Sequence, residues 1–327
     1  MSTSQLPDFP NDVPTHPLLV IDYALLKEND PAETARLWEA ATRLGFWYLK
    51  NHGVEIEVKE MFDLGVETMA LPFDEKMKYD QGNDGNSAGY KAAGSNAVDA
   101  SGEKDTVEFM NIAKDDVLAW PSAVHRRYPT PVERGMPYIV QPFVKKSLEV
   151  NRIILGIFND KLGLPKGCLL QQHLPEKRSG CEARIIKNPA MPHNVHKRAL
   201  GAHTDFGSLP LPNHAICNVG DALSIFSGGI LRSNMHRVVP PPGAQSAYER
   251  WSIVFFTRPS NNKVLRALIE SSPAISAAVK ANPQNTGTNS TAGEWFSRRI
   301  KYQKIENRKG PETWMSSRGT EANPTAA

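Results

Sequence analysis

Cysteine is scarce: Cys168, Cys181 and Cys217 are the only three in 327 residues. An odd number with no CxxC pairing argues against a disulfide framework and a thiolate zinc site, and suits three thiols used as small apolar residues. An excess of charge of either sign is also missing. With 38 Lys and Arg against 35 Asp and Glu, the formal net charge is +3, so composition gives no footprint for nucleic acid or an anionic membrane. No apolar run approaches the roughly 20 residues needed to cross a bilayer. The opening MSTSQLPDFPNDVP lacks the charged and apolar regions of a secretory leader. The glycines at 82, 85, 89 and 94 fit neither a phosphate loop nor a dinucleotide fingerprint, and no internal repeat is visible. These absences set the expectation of a soluble, cytoplasmic, monomeric protein that binds neither nucleic acid nor membrane. Partners must be argued from a site.

What is present is enough apolar residue, 40% of the chain, to bury a sizeable core. LLVID at 18–22 suits a strand. Asp30-Pro31-Ala32-Glu33 then reads as a helix start, with an N-cap, Pro at the first position and Glu at the third. Leu37, Ala40, Ala41 and Leu44 share a face of that helix, and Gly45 is its stop. An aromatic strand, FWYLK, and a second helix carrying Val58, Met61, Phe62, Val66 and Met69 follow. Residues 81–102, rich in Gly, Asn, Ser and Ala, read as a mobile loop. A long helix is predicted over about 138–162, with Pro142 kinking or delaying its first turn. Helix content is expected to end there. Beyond Gly180, short runs such as ARIIKN, HAICNVG, HRVV and WSIVFFTRP, broken by Gly and Pro, suit an antiparallel sandwich or jelly roll. The polar stretch after Tyr302 reads as disordered.

The chemistry concentrates in the second half. His203-Thr204-Asp205 closes one β-like run and His236 opens a later one, giving two imidazoles and a carboxylate, the ligand set that holds Fe(II) on one octahedral face and leaves three positions open. An isolated H-x-D is weak and is more often two solvated polar residues in a turn. Fourteen residues beyond His236 stands Arg250-Trp251-Ser252, where strand alternation puts Arg250 and Ser252 on one face. A guanidinium and a hydroxyl projecting together make a carboxylate clamp. His193 and His196 have prolines nearby and no third ligand at a metal-motif spacing, so a loop is the better reading.

These signals in this order resemble the isopenicillin N synthase-like branch of the 2-oxoglutarate/Fe(II) oxygenases, over about residues 14–299. VIDYALL and GFWYLKNHGV are similar to the family's N-terminal signature, and LGAHTDFGSL, NVGDAL, RSNMHRVV and RWSIVFFTRP to its metal and co-substrate signatures. The resemblance implies an α+β fold with a mainly β core: a double-stranded β-helix, or jelly roll, with an N-terminal α/β module (14–125), a supporting helical segment (126–175), a core at 178–302 shortened after 209, and a disordered tail at 303–327. It implies that His203, Asp205 and His236 bind Fe(II), that Arg250 and Ser252 hold the distal carboxylate of the co-substrate 2-oxoglutarate, and that O₂ oxidises a small organic molecule by hydroxylation, desaturation or ring formation. Asn218 falls in a strand that borders the active site in relatives. Lys187 and Asn188 stand where many relatives carry a co-substrate tyrosine, and Tyr90 in the 81–102 loop is a candidate lid residue.

One departure matters. Ser208-Leu209-Pro210-Leu211-Pro212-Asn213-His214-Ala215 joins directly what in relatives is separated by two further strands, about 20 residues with their turns. The jelly roll is therefore expected to lack two strands, which exposes edges and uncovers core. This leaves two alternatives open: a non-catalytic or weakly active remnant of the family, and an oxidase using the same iron without 2-oxoglutarate.

Overall fold

A computed structural model describes residues 7, 10–13, 16–191, 200–204 and 214–320, with the backbone alone for 200–204. Strand β1 (Val20–Asp22) pairs in parallel with β2 (Phe46–Lys50), and α1 (Tyr23–Lys27) and α2 (Pro31–Arg43) lie between them. Asp30 caps α2 by accepting the Glu33 N–H at 2.8 Å, Pro31 occupies the first turn, and Leu37, Ala40 and Ala41 are buried, as the local signals dictate. Gly45 ends the helix at φ +79°, and a Cβ there would run into the carbonyl oxygen of Arg232. Gly45→Ala is expected to cost at least ~2 kcal/mol through left-handed strain and this collision. Urea denaturation checks it, and an unchanged midpoint would show that the turn rebuilds without cost.

Helices α3 (Glu55–Met69) and α4 (Phe73–Met77), strands β3 (Gly89–Lys91) and β4 (Glu108–Ala113), and helices α5 (Lys114–Ala119) and α6 (Thr130–Gly135) come next. A π-helical turn at Met136–Val140 joins α6 directly to α7 (Gln141–Lys161), so helical backbone runs unbroken from Thr130 to Lys161 and begins before the expected 138, with the π turn immediately ahead of Pro142. Strands β5 (Glu182–Asn188), β6 (Leu200–Thr204) and β7 (His214–Asn218) precede α8 (Asp221–Phe226). Then come β8 (Met235–Val238), β9 (Arg250–Phe256) and β10 (Val264–Arg266). Last are α9 (Pro273–Ala281), β11 (Gly287–Thr291), α10 (Ala292–Gln303) and α11 (Pro311–Ser316).

The strands form a four-stranded antiparallel sheet, β3-β4-β5-β9, a three-stranded sheet, β1-β2-β7, and two-stranded pairs β6-β8 and β10-β11. Alternation along β5 and β9 divides their side chains. Ile186, Val254 and Phe256 join Val107 and Phe109 in an inner core against which Val238 of β8 packs. Ala183, Ile185, Ile253 and Phe255 face the other way, into the cluster that holds Met61 and Leu64 of α3 and Phe143 and Val144 of α7. Helices and antiparallel sheets together give the expected α+β class.

Three expectations are corrected. Helix content does not end at 162: α8, α9 and α10 follow, α9 capped by the Ser272 hydroxyl and α10 by a capping box of Thr291 and Glu294. The stretch after Tyr302 is not disordered as far as it is described. Lys304 is buried, and the α11 region is tied to α10 by the Arg298 and Arg299 side chains donating to the Ser316 and Ser317 carbonyls. The 81–102 segment is held rather than loose. Lys91 and Asp105 form a fully buried ion pair, Gly94 N–H donates to Asp105 at 2.9 Å, and Arg126 donates to the Asp80 and Ala88 carbonyls. The His193 and His196 positions lie outside the described residues.

Candidate active site

The register of β6 against β8 sets His203 directly opposite His236, so the backbone brings two of the three expected ligands to facing positions on adjacent strands. Asp205 and the side chain of His203 lie outside the described residues. Among the described residues no three His, Cys, Asp or Glu side chains gather as a metal group, and the expected triad is represented there by His236 alone.

His236 is held from several sides. Upstream of it, Arg232 N–H donates to Ala41 O at 3.0 Å and Asn234 Nδ2 donates to Leu44 O at 3.2 Å, pinning the approach to β8 on the end of α2. The imidazole packs edge-on against Phe46 of β2, centroids 5.1 Å apart. Its Nδ1 lies 3.2 Å from Asn234 O, a contact that makes Nδ1 the N–H donor and leaves the lone pair on Nε2. This tautomer and support are what an imidazole ligand to a metal needs.

Arg250 and Ser252 project on the same face of β9 as Val254 and Phe256, as strand alternation predicts. Ser252 is buried. Arg250 Nε is also buried and has no hydrogen-bond partner, and burial lowers the guanidinium's pKa from its ordinary value. A cationic donor in that position is costly until an anion answers it. Beside it, Asn188 Oδ1 and Thr106 Oγ1 are likewise buried without partners, and both border the narrow crevice into which Arg250 opens. Asn188 is readable in the sequence from its strand position; nothing local marks Thr106.

The other candidate contacts fare differently. Lys187 lies on the opposite face of β5 from Asn188, where its Nζ meets Glu249 Oε1 at 2.9 Å and sits over the Trp251 ring; it is turned away from Arg250. Tyr90 is buried and donates its hydroxyl to Glu108 at 2.6 Å, so it is a core residue and not a lid. Asn218 pairs with Phe46 across β7 and β2 and lines a large cavity of about 550 Å³ that Ser252 also reaches.

That cavity is a low-dielectric space. Burial pushes the Cys217 thiol on its wall up to about 12. It also pulls the His173 imidazole down to about 4, despite the Leu169 carbonyl 2.9 Å from its Nδ1. A base whose folded pKa is depressed keeps the fold neutral there while the unfolded chain takes up the proton, so its contribution is present above pH 6.5 and lost as pH falls through 4. The urea midpoint is therefore expected to decline across that window, and His173→Phe to flatten the decline. An equal slope in the variant would place the titrating group elsewhere.

The α+β scaffold thus carries a buried arginine beside a buried serine on one strand face and two histidines at facing positions of adjacent strands. Residues 18–131 match the N-terminal region of non-haem dioxygenases, described as that in morphine synthesis, and residues 185–259 match the 2OG-Fe(II) oxygenase superfamily. The chain is similar to a 2-oxoglutarate-dependent dioxygenase of Gibberella zeae, 26% identical over 80% of this chain and 85% of that one. It is also similar to one of Aspergillus fumigatus, 24% identical over 89% of this chain and 87% of that one. The stretch aligned with the Aspergillus protein is 353 positions long, more than the 327 residues of the whole chain, so that relative carries residues with no counterpart here. Among solved structures, JOX2 in complex with 2OG, Fe and JA superposes with a TM-score of 0.68 at 21% identity, covering 98% of this chain and 95% of that one. The chain belongs to the 2-oxoglutarate- and Fe(II)-dependent oxygenase superfamily, and Fe(II) and 2-oxoglutarate are the cofactor and co-substrate of that family.

Proposed function

We propose that the protein oxidises a small organic molecule, with His203, Asp205 and His236 as the iron ligands and Arg250 with Ser252 as the clamp on the distal carboxylate of 2-oxoglutarate, in the manner of the isopenicillin N synthase-like branch. The observation that carries this reading is the buried Arg250 Nε with no acceptor, on the same strand face as a buried serine. The donor set fits a carboxylate: a planar guanidinium and a hydroxyl two residues away on one strand. The facing positions of His203 and His236 fit a shared ion. When bound, Fe(II) supplies activation of O₂ coupled to decarboxylation of 2-oxoglutarate.

The chain's own residues orient and exclude. Asn234 and Phe46 fix the tautomer and tilt of His236, and the inner core of Val107, Phe109, Val254 and Phe256 keeps water from one side of the clamp. The crevice beside Arg250 measures only about 10 Å³, room for about one water. Ser252 lines the larger cavity, so a carboxylate is expected to approach the clamp from there. The separation of the strands into β3-β4-β5-β9 and β1-β2-β7 supports the reading that two strands of the family's jelly roll are missing. The test is succinate formation from 2-oxoglutarate under air with Fe(II). Succinate released in proportion to iron supports the assignment. O₂ consumption without succinate supports the oxidase, and neither, from folded protein, supports the remnant.

A further inference from the structure

The small crevice beside Arg250 is lined by three residues that each carry a buried polar atom with no partner among the described residues: Arg250 Nε, Asn188 Oδ1 and Thr106 Oγ1. Native interiors leave few such atoms, so three of them around about 10 Å³ call for one common cause. Asn188 is the cross-strand partner of Arg250, and its Nδ2 donates to the Arg250 carbonyl at 3.3 Å. That bond settles the orientation of the amide: the atom facing a carbonyl oxygen must be the nitrogen, which makes Oδ1 the acceptor left over. Pro189, Pro240 and Pro241 also line the crevice and bring no N–H to it. The loop on its outer side is tied in place, with Met191 N–H donating to the Ser246 carbonyl and the Gln245 side chain to that of Pro7, both at 2.8 Å.

The chemistry of the three atoms defines what can sit among them. Arg250 Nε–H is a fixed donor, Asn188 Oδ1 a fixed acceptor, and the Thr106 hydroxyl can be either. An anion would meet the Asn188 oxygen and a cation would meet the guanidinium, so both are opposed. A water accepts from Arg250 and donates to Asn188 and Thr106, and the crevice has the volume of one. We propose that Thr106 and Asn188 are positioning residues of the co-substrate clamp, holding one buried water against Arg250 Nε so that the guanidinium turns its two Nη groups toward the Ser252 side. This rests on the reading of Arg250 and Ser252 as the clamp on 2-oxoglutarate. The gain is pre-organisation. A long side chain loses rotamer freedom when it grips a carboxylate, and a water bonded at Nε takes that loss before the co-substrate arrives. The water answers the Nε–H with a dipole and leaves the positive charge itself unanswered until a carboxylate binds. Neither residue touches the co-substrate, so their effect falls on its affinity and not on the rate of turnover.

Two measurements on the full-length chain test this. The first needs neither iron nor co-substrate: nuclear magnetic resonance of protein carrying isotope-labelled arginine, in which the Arg250 Nε–H signal is the one lost in Arg250→Lys. A cross-peak from that proton to a long-lived water is expected. It should be lost or sharply weakened in Thr106→Val, which keeps the shape of the side chain and removes the hydroxyl. The second measurement is the affinity for 2-oxoglutarate by anaerobic calorimetry with Fe(II), alongside KM and kcat. Thr106→Val is expected to weaken binding and raise KM by ~3–10-fold, as the loss of about one net hydrogen bond does, with kcat unchanged. Thr106→Ser, which keeps the hydroxyl, should match the parent. No water cross-peak in the parent overturns the proposal. So does an unchanged affinity in Thr106→Val, or an equal weakening in the valine and serine variants, which would assign the effect to shape. The two readings fail separately. A parent that shows the cross-peak and binds no 2-oxoglutarate fells the clamp and with it the positioning role, while one that binds 2-oxoglutarate without a cross-peak keeps the clamp and fells the water.

Discussion

His236→Ala is expected to lower 2-oxoglutarate turnover by more than ~100-fold with the fold intact. Removing a group that merely orients a ligand to a metal typically costs 10–100-fold, so removing the imidazole proposed here as a ligand should exceed that range. Structural collateral is small because the β8 approach is anchored upstream by Arg232 and Asn234, not by the imidazole, and because His236 is only partly buried. Circular dichroism should be unchanged while succinate formation disappears. Turnover within ten-fold of the parent at saturating iron would remove His236 from the site.

Arg250→Ala is the second large effect, and it falls on the KM for 2-oxoglutarate. Hydrogen bonds to a charged group contribute about 1.5–3 kcal/mol each, so losing a forked guanidinium contact predicts a rise of ~10²–10³-fold. Ser252→Ala, which removes one neutral donor, is expected to raise KM by ~5–10-fold. The order of the two is the informative part. Arg250 Nε is buried without a partner, so its removal also relieves a desolvation cost, and the variant should be no less stable than the parent. A variant that unfolds more readily, with KM unchanged, would make Arg250 structural.

How much of this was legible in the sequence depends on whether the signal was local. Helix α2 was fully readable because its cap, first-turn proline and terminal glycine are neighbours in the chain, and the pairing of Asp30 with Glu33 follows from their spacing alone. That Arg250 and Ser252 share a face was readable because period-two alternation fixes which residues of β9 lie together. The 81–102 segment was misread because its glycines advertise looseness locally, while what holds it comes from afar: Asp105, Arg126 and the Glu108 that accepts from Tyr90. The helices α9 and α10 were overlooked although their caps, Ser272 and the Thr291/Glu294 box, are ordinary start signals. Runs of β-like texture around them won the reading. That His203 faces His236 across adjacent strands follows from register, which the number of residues between them does not determine. Thr106 reaches the Arg250 crevice only through tertiary packing, which no spacing could show.

The central claim is that the two histidines, with Asp205, hold one iron to which 2-oxoglutarate is presented by Arg250. Anaerobic titration of Fe(II) into the protein with 2-oxoglutarate, followed by visible absorption, tests it most directly. A weak charge-transfer band should grow to one iron per chain, vanish in His236→Ala, and require far more 2-oxoglutarate in Arg250→Ala. A folded protein that gives no band, or one that gives the same band in His236→Ala, would contradict the account.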